Sequence, residues 1–329
     1  MSRCITRRGL AAASAGLALA GRSARAQTAS WPSRPVRIIV AYAAGGSTDI
    51  TARLVAAKLS ERLGGASVVV ENRPGGGTLV GTEAAARATP DGYTLLFATG
   101  AMIATPLLSR GAATIDARRD FAPIAIVQAS PLLFVANRDA PFRGIGDVLA
   151  AARARPGTLN ISHPGAGSSN HLALELFKRM ANVDVTLVPY TGNAPSLNAL
   201  VRGDVPVALD SIISSRALMD GGQIRALAVT GARRSAALPD VPTVAESGVP
   251  GFNVTFWSGL AAPRATPVPI LDRLNQEVNA IVRMPDVIER LKTLGSEPVG
   301  GSREDFTRLI EEEHERLSVL IREANIRPD

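Results

Sequence analysis

The sequence predicts an α/β fold in two lobes, and three observations carry the prediction. Apolar strands alternate with helically spaced segments through the first hundred residues, in the order strand-helix-strand-helix-strand. That order implies a parallel sheet with right-handed crossovers. A second run of the same kind spans residues 159–209. Strand-like segments without neighbouring helices, near 121–137 and 224–230, read as crossings between the lobes. A chain of 329 residues suits two cores at roughly 150 residues per domain.

Val36–Tyr42 is an apolar strand after Pro32 and Pro35, and Ala43–Ser47 is a glycine turn. Asp49–Leu63 has helical spacing through Ile50, Leu54, Ala57 and Leu59, and stops at Gly64-Gly65. Ser67–Val70 is a strand, followed by Gly75-Gly76-Gly77 and a helix near Gly81–Ala88. The Pro90-Asp91-Gly92 turn leads into the strand Tyr93–Ala98. Phe121–Gln128 and Leu132–Asn137 read as two strands parted by Ser130-Pro131. Gly146–Ala154, Ser168–Ala181 and Pro195–Arg202 are helical, between strands at Leu159–Ser162, Val185–Val188 and Val205–Leu209. Ile224–Thr230 and Phe252–Leu260 are strands, and two helices near Val268–Val282 and Arg303–Ala324 close the chain. Ser302 with Asp305 makes a capping box for the last. The expected division is 27–128 plus 231–329 for the first lobe and 129–230 for the second.

Hydrophobic residues make up 46% and charged residues 20%, a composition for packed cores rather than disorder. The formal charge of +7 suggests a nucleic-acid partner, but Arg3, Arg7, Arg8, Arg22 and Arg25 all lie in the first 26 residues. Without them 31 basic side chains face 29 acidic ones, and three Tyr with two Trp make no base-stacking platform. No nucleic-acid partner is expected. Met1–Arg8 is basic, Gly9–Ala20 is a twelve-residue apolar run, and Ala24-Arg25-Ala26 fits a signal-peptidase site. Residues 1–26 therefore read as a cleavable export signal, since about 20 apolar residues are needed to span a membrane. Thr6-Arg7-Arg8-Gly9-Leu10 favours the twin-arginine route over the general one. Cys4 precedes the apolar run, so the mature chain has no thiol. A periplasmic protein is expected, and a monomer.

Two segments could carry chemistry. Tyr42-Ala43-Ala44-Gly45-Gly46-Ser47-Thr48-Asp49 joins the end of the first strand to a helix start. Its glycines open the backbone, and the free amides of the first turn favour an anion. His163-Pro164-Gly165-Ala166-Gly167-Ser168-Ser169-Asn170-His171 repeats the design in the second lobe. Each also reads as an ordinary βα turn with a hydroxyl cap. As a pair they suggest a carboxylate clamp. Charge-assisted hydrogen bonds contribute roughly 1.5–3 kcal/mol each, so four could support micromolar affinity, about −8 kcal/mol. Ser168, His171 and Asp210 could form a hydrolase triad, but no Gly-x-Ser-x-Gly elbow accompanies them. His163 and His171 lack a metal-ligand spacing, and no metal or cofactor is expected. Gly75–Gly81 departs from dinucleotide and P-loop patterns.

These residues carry a resemblance. From Trp31 onward the chain is similar to the Bug family, the periplasmic substrate-binding components of tripartite tricarboxylate transporters. "WPSRPVRIIVAYAAGGSTDITARLVAAKLSERLG", "VVVENRPGGGT", "PDGYTLL", "GAGSSNHLALELFK", "VPYTGNAPSLNALVRGDV" and "GGQIRALAVTGARRSAALPDVPTVAESGVPGF" follow in the family's order. Gly295-Ser296-Glu297-Pro298 matches its closing motif. Ala41 stands where the family usually has Pro, and Gly76-Gly77-Thr78 varies a Gly-Ala-Gly-Gly stretch. The resemblance implies a type II periplasmic-binding-protein fold, with two α/β lobes joined by two crossovers around a ligand cleft. It also implies a non-enzymatic receptor for a small organic anion: a di- or tricarboxylate, an amino acid or an aromatic acid. The receptor would hand its ligand to membrane permease subunits; a ligand-sensing module for a membrane sensor is the other role. The implied ligand-binding residues are Tyr42, Ala43, Gly45, Gly46, Ser47, Thr48 and Asp49, then Thr99, Gly100 and Ala101. In the second lobe they are Gly165, Gly167, Ser168, Ser169 and His171, then Tyr190, Thr191 and Gly192. Asp210 would line the cleft and receive an amine or hydroxyl, or orient water.

Overall fold

The computed structural model describes residues 31–109, 115–323 and 326. The expected export signal, with Cys4 and the Ala24-Arg25-Ala26 pattern, lies outside the described residues, as does Ala324. β1 (Val36–Val40) leads through the glycine turn to α1 (Ser47–Arg62), and β2 (Val68–Asn72), α2 (Leu79–Ala86) and β3 (Thr94–Thr99) follow. β1 pairs in parallel with β2 and β3, as the alternating pattern requires. The apolar side chains of β1 alternate between two buried faces. Ile38 and Val40 pack with Phe97 and Leu59 on one face, while Ile39 packs with Leu96 and Phe306 on the other. α3 (Ala101–Leu108) and the single turn α4 (Ala117–Asp120) complete this run.

β4 (Phe121–Asn137) is one 17-residue strand, not the expected two. As far as Pro131 it pairs with β9 (Thr255–Pro263), and β10 (Glu297–Gly300) lies on its other side. From Leu132 it pairs with β7 (Val207–Ser211) and β8 (Ile224–Val229). Pro131 does not break the strand because it sits where β4 changes neighbours, a place where a missing N–H is tolerated. β4 therefore changes its strand neighbours between Pro131 and Leu132.

α5 (Ile145–Ala154), β5 (Asn160–His163), α6 (Ser169–Ala181), β6 (Thr186–Pro189), α7 (Asn193–Arg202) and α8 (Ile212–Asp220) build the second lobe with β7 and β8. β5 pairs in parallel with β6 and β7. Phe134, Phe177, Val244, Val249, Phe252 and Val254 share its core. The sequence reading assigned 231–254 to the first lobe. These apolar residues bury instead against the second, so the return comes where β9 begins. Three helices close the chain rather than two: α9 (Val268–Ile281), α10 (Pro285–Thr293) and α11 (Arg303–Glu323). Pro285 begins α10 at the one place where a helix accepts proline readily. The Ser302–Asp305 capping box forms, with the two backbone N–H groups each donating to the other residue's side chain at 3.0 Å. The strand order is β2-β1-β3-β9-β4-β7-β5-β6. This is a type II periplasmic-binding-protein architecture: two α/β lobes, two crossovers, and parallel strands whose carboxyl ends face the gap.

Candidate functional site

The loops at those strand ends meet across the gap. The Ala43 N–H donates to the Thr191 carbonyl at 3.2 Å, a main-chain bond between lobes. Glycines mark the closest approaches. A Cβ on Gly46 would lie 2.9 Å from Asn193 Oδ1, and one on Gly192 would lie 3.2 Å from Ala43. A Cβ on Gly77 would lie 2.6 Å from the Ala166 carbonyl, and one on Gly167 would lie 2.2 Å from Thr105 Oγ1. A Cβ on Gly100 would come to 3.2 Å from Ser169 Oγ. The two nests of the sequence reading thus both lie along one interlobe seam. Gly45 and Gly46 lie against Ala194 and Asn193, while Ala166, Gly167 and Ser169 lie against Gly77, Thr105 and Gly100.

A cleft of about 230 Å³ opens along this seam. Of the expected residues, Tyr42, Gly165, Tyr190 and Thr191 line it. So do Pro164 and Ala166 of the second nest, together with Ala41, Gly75 to Thr78 and Pro189, which the sequence reading does not assign to the ligand. The signal for this loop is the glycine triplet, which the sequence reading compares with nucleotide loops and with the family motif without giving it a ligand contact. Gly75, Gly76, Gly77 and Thr78 all have positive φ, and Thr78, at 93°, is a buried non-glycine in a strained conformation.

The first nest is partly satisfied by its own side chain. Ser47, Thr48 and Asp49 are buried at the start of α1. Asp49 accepts from the Gly45 N–H at 2.9 Å, from Asn72 Nδ2 at 3.0 Å and from Arg53 Nε at 3.0 Å. Burial pushes its carboxyl up, but the bonds from Arg53, Gly45 and Asn72 outweigh this and hold it below the usual carboxylate range. Asp49 thus shapes the turn, and it occupies the Gly45 amide that the sequence reading reserved for a ligand. Tyr42 OH lies 3.4 Å from Thr99 Oγ1, which also receives the Ala101 N–H at 3.3 Å. Burial pushes the Tyr42 phenol up to about 12.

In the second lobe Ser168 caps α6, its Oγ accepting the His171 N–H at 3.1 Å. The Gly167 N–H donates to His171 Nδ1 at 3.1 Å, and the His163 and His171 rings stack 4.8 Å apart. Ser168 and His171 therefore brace the loop as cap and acceptor. In these contacts the Ser168 hydroxyl serves as the helix cap and His171 Nδ1 as the acceptor of a loop amide. Asp210 is fully buried at the end of β7. Its Oδ1 accepts from Asn193 Nδ2 at 2.8 Å, from the Ser211 N–H at 2.6 Å and from Ser214 Oγ. Its Oδ2 has no partner among the described residues.

Burial pushes the Asp210 carboxyl up to about 7, against the pull of those bonds. Burial, with the charge of His171 second, lowers His163 to about 3. The stability contributed by Asp210 is full below its ordinary value of 3.8 and is lost as pH rises to about 7. The contribution of His163 is present above its ordinary 6.5 and is lost as pH falls to about 3. The two slopes oppose each other between about pH 4 and 6.5. Asp210→Asn is expected to unmask the His163 slope, so that the thermal midpoint rises more steeply with pH than in the parent. Parallel melting profiles in the two proteins would show that Asp210 titrates normally.

Residues 51–326 match the family model described as the tripartite tricarboxylate transporter family receptor. A UPF0065 protein of a Pseudomonas species is 40% identical over 317 residues, covering 95% of this chain and 94% of its own. Three solved structures each cover 100% of their own chain. A Rhodopseudomonas palustris protein solved with adipate is 38% identical with a TM-score of 0.87 over 91% of this chain. The periplasmic binding protein BugD is 32% identical with a TM-score of 0.86 over 91% of this chain. MatC of Rhodopseudomonas palustris, solved with malate, is 32% identical with a TM-score of 0.83 over 88% of this chain. No helix among the described residues is long and apolar enough to cross a membrane. With cleft, crossovers and matching relatives in agreement, the chain belongs to the Bug-type receptors of the tripartite tricarboxylate transporter family.

Proposed function

We propose that the protein is a non-enzymatic periplasmic receptor. It captures a small carboxylate between its lobes and delivers it to the membrane subunits of a tripartite tricarboxylate transporter. The observation that supports this most is the seam itself, where loops from the carboxyl ends of both sheets approach to a main-chain hydrogen bond, Ala43 to Thr191. A ligand held there touches both lobes and shifts the open–closed equilibrium towards closed. The relatives solved with adipate and malate favour carboxylates as the class. In this reading the start of α6, which has no acidic residue in its first turn, offers its amides to the ligand carboxylate. Asp210 Oδ2 meets a ligand hydroxyl, an amine or a water. Residues 1–26 direct export and are removed, the twin-arginine route being favoured, and the mature receptor acts as a monomer.

Calorimetry against adipate, malate, citrate, amino acids and aromatic acids tests the proposal. At least one acid is expected to bind with a dissociation constant near micromolar, about −8 kcal/mol. Silence from every compound at millimolar concentration would overturn it.

A further inference from the structure

A row of buried polar side chains runs inward from the cleft wall. It starts at Thr99, whose hydroxyl lies 3.4 Å from that of Tyr42, a cleft-lining residue. In the β3–β9 ladder Thr99 stands opposite Ser258, and in the β4–β9 ladder Ser258 stands opposite Gln128. Directly opposed residues on neighbouring strands share a face, with side chains about 5 Å apart, so the three make a line of about 10 Å. Ser130 lies two residues beyond Gln128 on the same strand. Gln128 and Ser258 are 0% exposed, and Ser130 is 2% exposed. Gln128 Nε2, Gln128 Oε1, Ser258 Oγ and Ser130 Oγ have no partner among the described residues. Buried polar atoms in native proteins are nearly always paired, so four orphans along one line call for an occupant that supplies both donors and acceptors. None of these side chains bears a charge, and each hydroxyl can rotate to donate.

We propose that Thr99, Ser258 and Gln128 form a specificity subsite in the first lobe, taking the second, oxygen-bearing end of an elongated acid whose first carboxylate sits at the seam. This rests on the receptor reading and narrows its ligand class. A chain with an apolar end would leave the orphaned atoms buried and unpaired, and such mismatches discriminate strongly.

The test compares acids of equal length, adipate with hexanoate and succinate with butyrate, by calorimetry on the full mature chain. The parent is expected to prefer the diacid at least about tenfold in one or both pairs. Gln128→Leu is expected to bring that preference to within about twofold by weakening the diacid alone, and Ser258→Ala to fall between. Thermal melts verify that both variants fold. An unchanged preference in both folded variants would make the row structural and overturn the subsite, as would a parent that shows no diacid preference while binding other acids. A parent that binds no acid at all fails the receptor reading itself, and that is a separate result.

Discussion

Gly46→Val is expected to weaken the tightest ligand of the panel at least about tenfold while leaving the melting temperature of the unliganded protein nearly unchanged. Gly46 has φ −83° and ψ 172°, an extended conformation open to any residue, so the substitution brings no backbone strain. The first atom added lies 2.9 Å from Asn193 Oδ1 and 3.2 Å from Asn193 Cβ, both on the other lobe. Valine adds two further branches in the same space. The collision exists only when the lobes are together, so its cost falls on closure rather than on folding. A tenfold loss corresponds to about 1.4 kcal/mol, and one overlapping contact that forces the lobes apart reaches that size. Gly46→Ala should fall between parent and valine. Gly77 would be a poorer probe, because its φ of 61° adds strain to its approach to Ala166. Calorimetry gives the affinity, and small-angle scattering with saturating ligand shows whether the variant stays extended. Parental affinity in a folded Gly46→Val protein would remove this loop from the closing seam.

Phe177→Ala is expected to have the largest effect on stability, about 3–5 kcal/mol. Phe177 is fully buried on α6, 5.0 Å from the ring of Phe134 at a tilt and 6.1 Å from that of Phe252 edge-on. Phe134 lies on the long crossing strand, and Phe252 on the segment that returns to the first lobe. One ring therefore binds the second core to both connections. Set against a typical total of about 5–15 kcal/mol, the loss is a large share. The midpoint should fall on the order of 10 °C in a thermal melt. A change below about 1 kcal/mol would mean that the returning segment is not docked through Phe252.

Local signals were enough for the strands and helices of each lobe. The alternating run from Val36 to Thr99 specified a parallel sheet because apolar period and glycine punctuation agree there. The loops at the strand ends were legible for the same reason: Gly45-Gly46 and Gly165 to Ser168 stand between an apolar strand and a capped helix. Other elements were hidden. α8 begins Ile-Ile-Ser-Ser, a poor helical start by propensity, and forms because Ser211 caps it and Ile212 and Ile213 are buried. Asp49 looked like a ligand contact, yet its partners Asn72 and Gly45 are supplied by a neighbouring strand end and by its own turn. The Gly75–Thr78 loop reached the cleft only through its place after β2.

By itself the sequence determined the α/β lobes, the glycine-rich strand ends and the likeness to an acid receptor, since each depends on residues close together in the chain. Tertiary structure alone decided which loops oppose one another, where β4 changes sheets, and which polar atoms are left without partners. Those properties depend on distances between residues such as Gly46 and Asn193, or Thr99, Ser258 and Gln128, which only the packed fold sets.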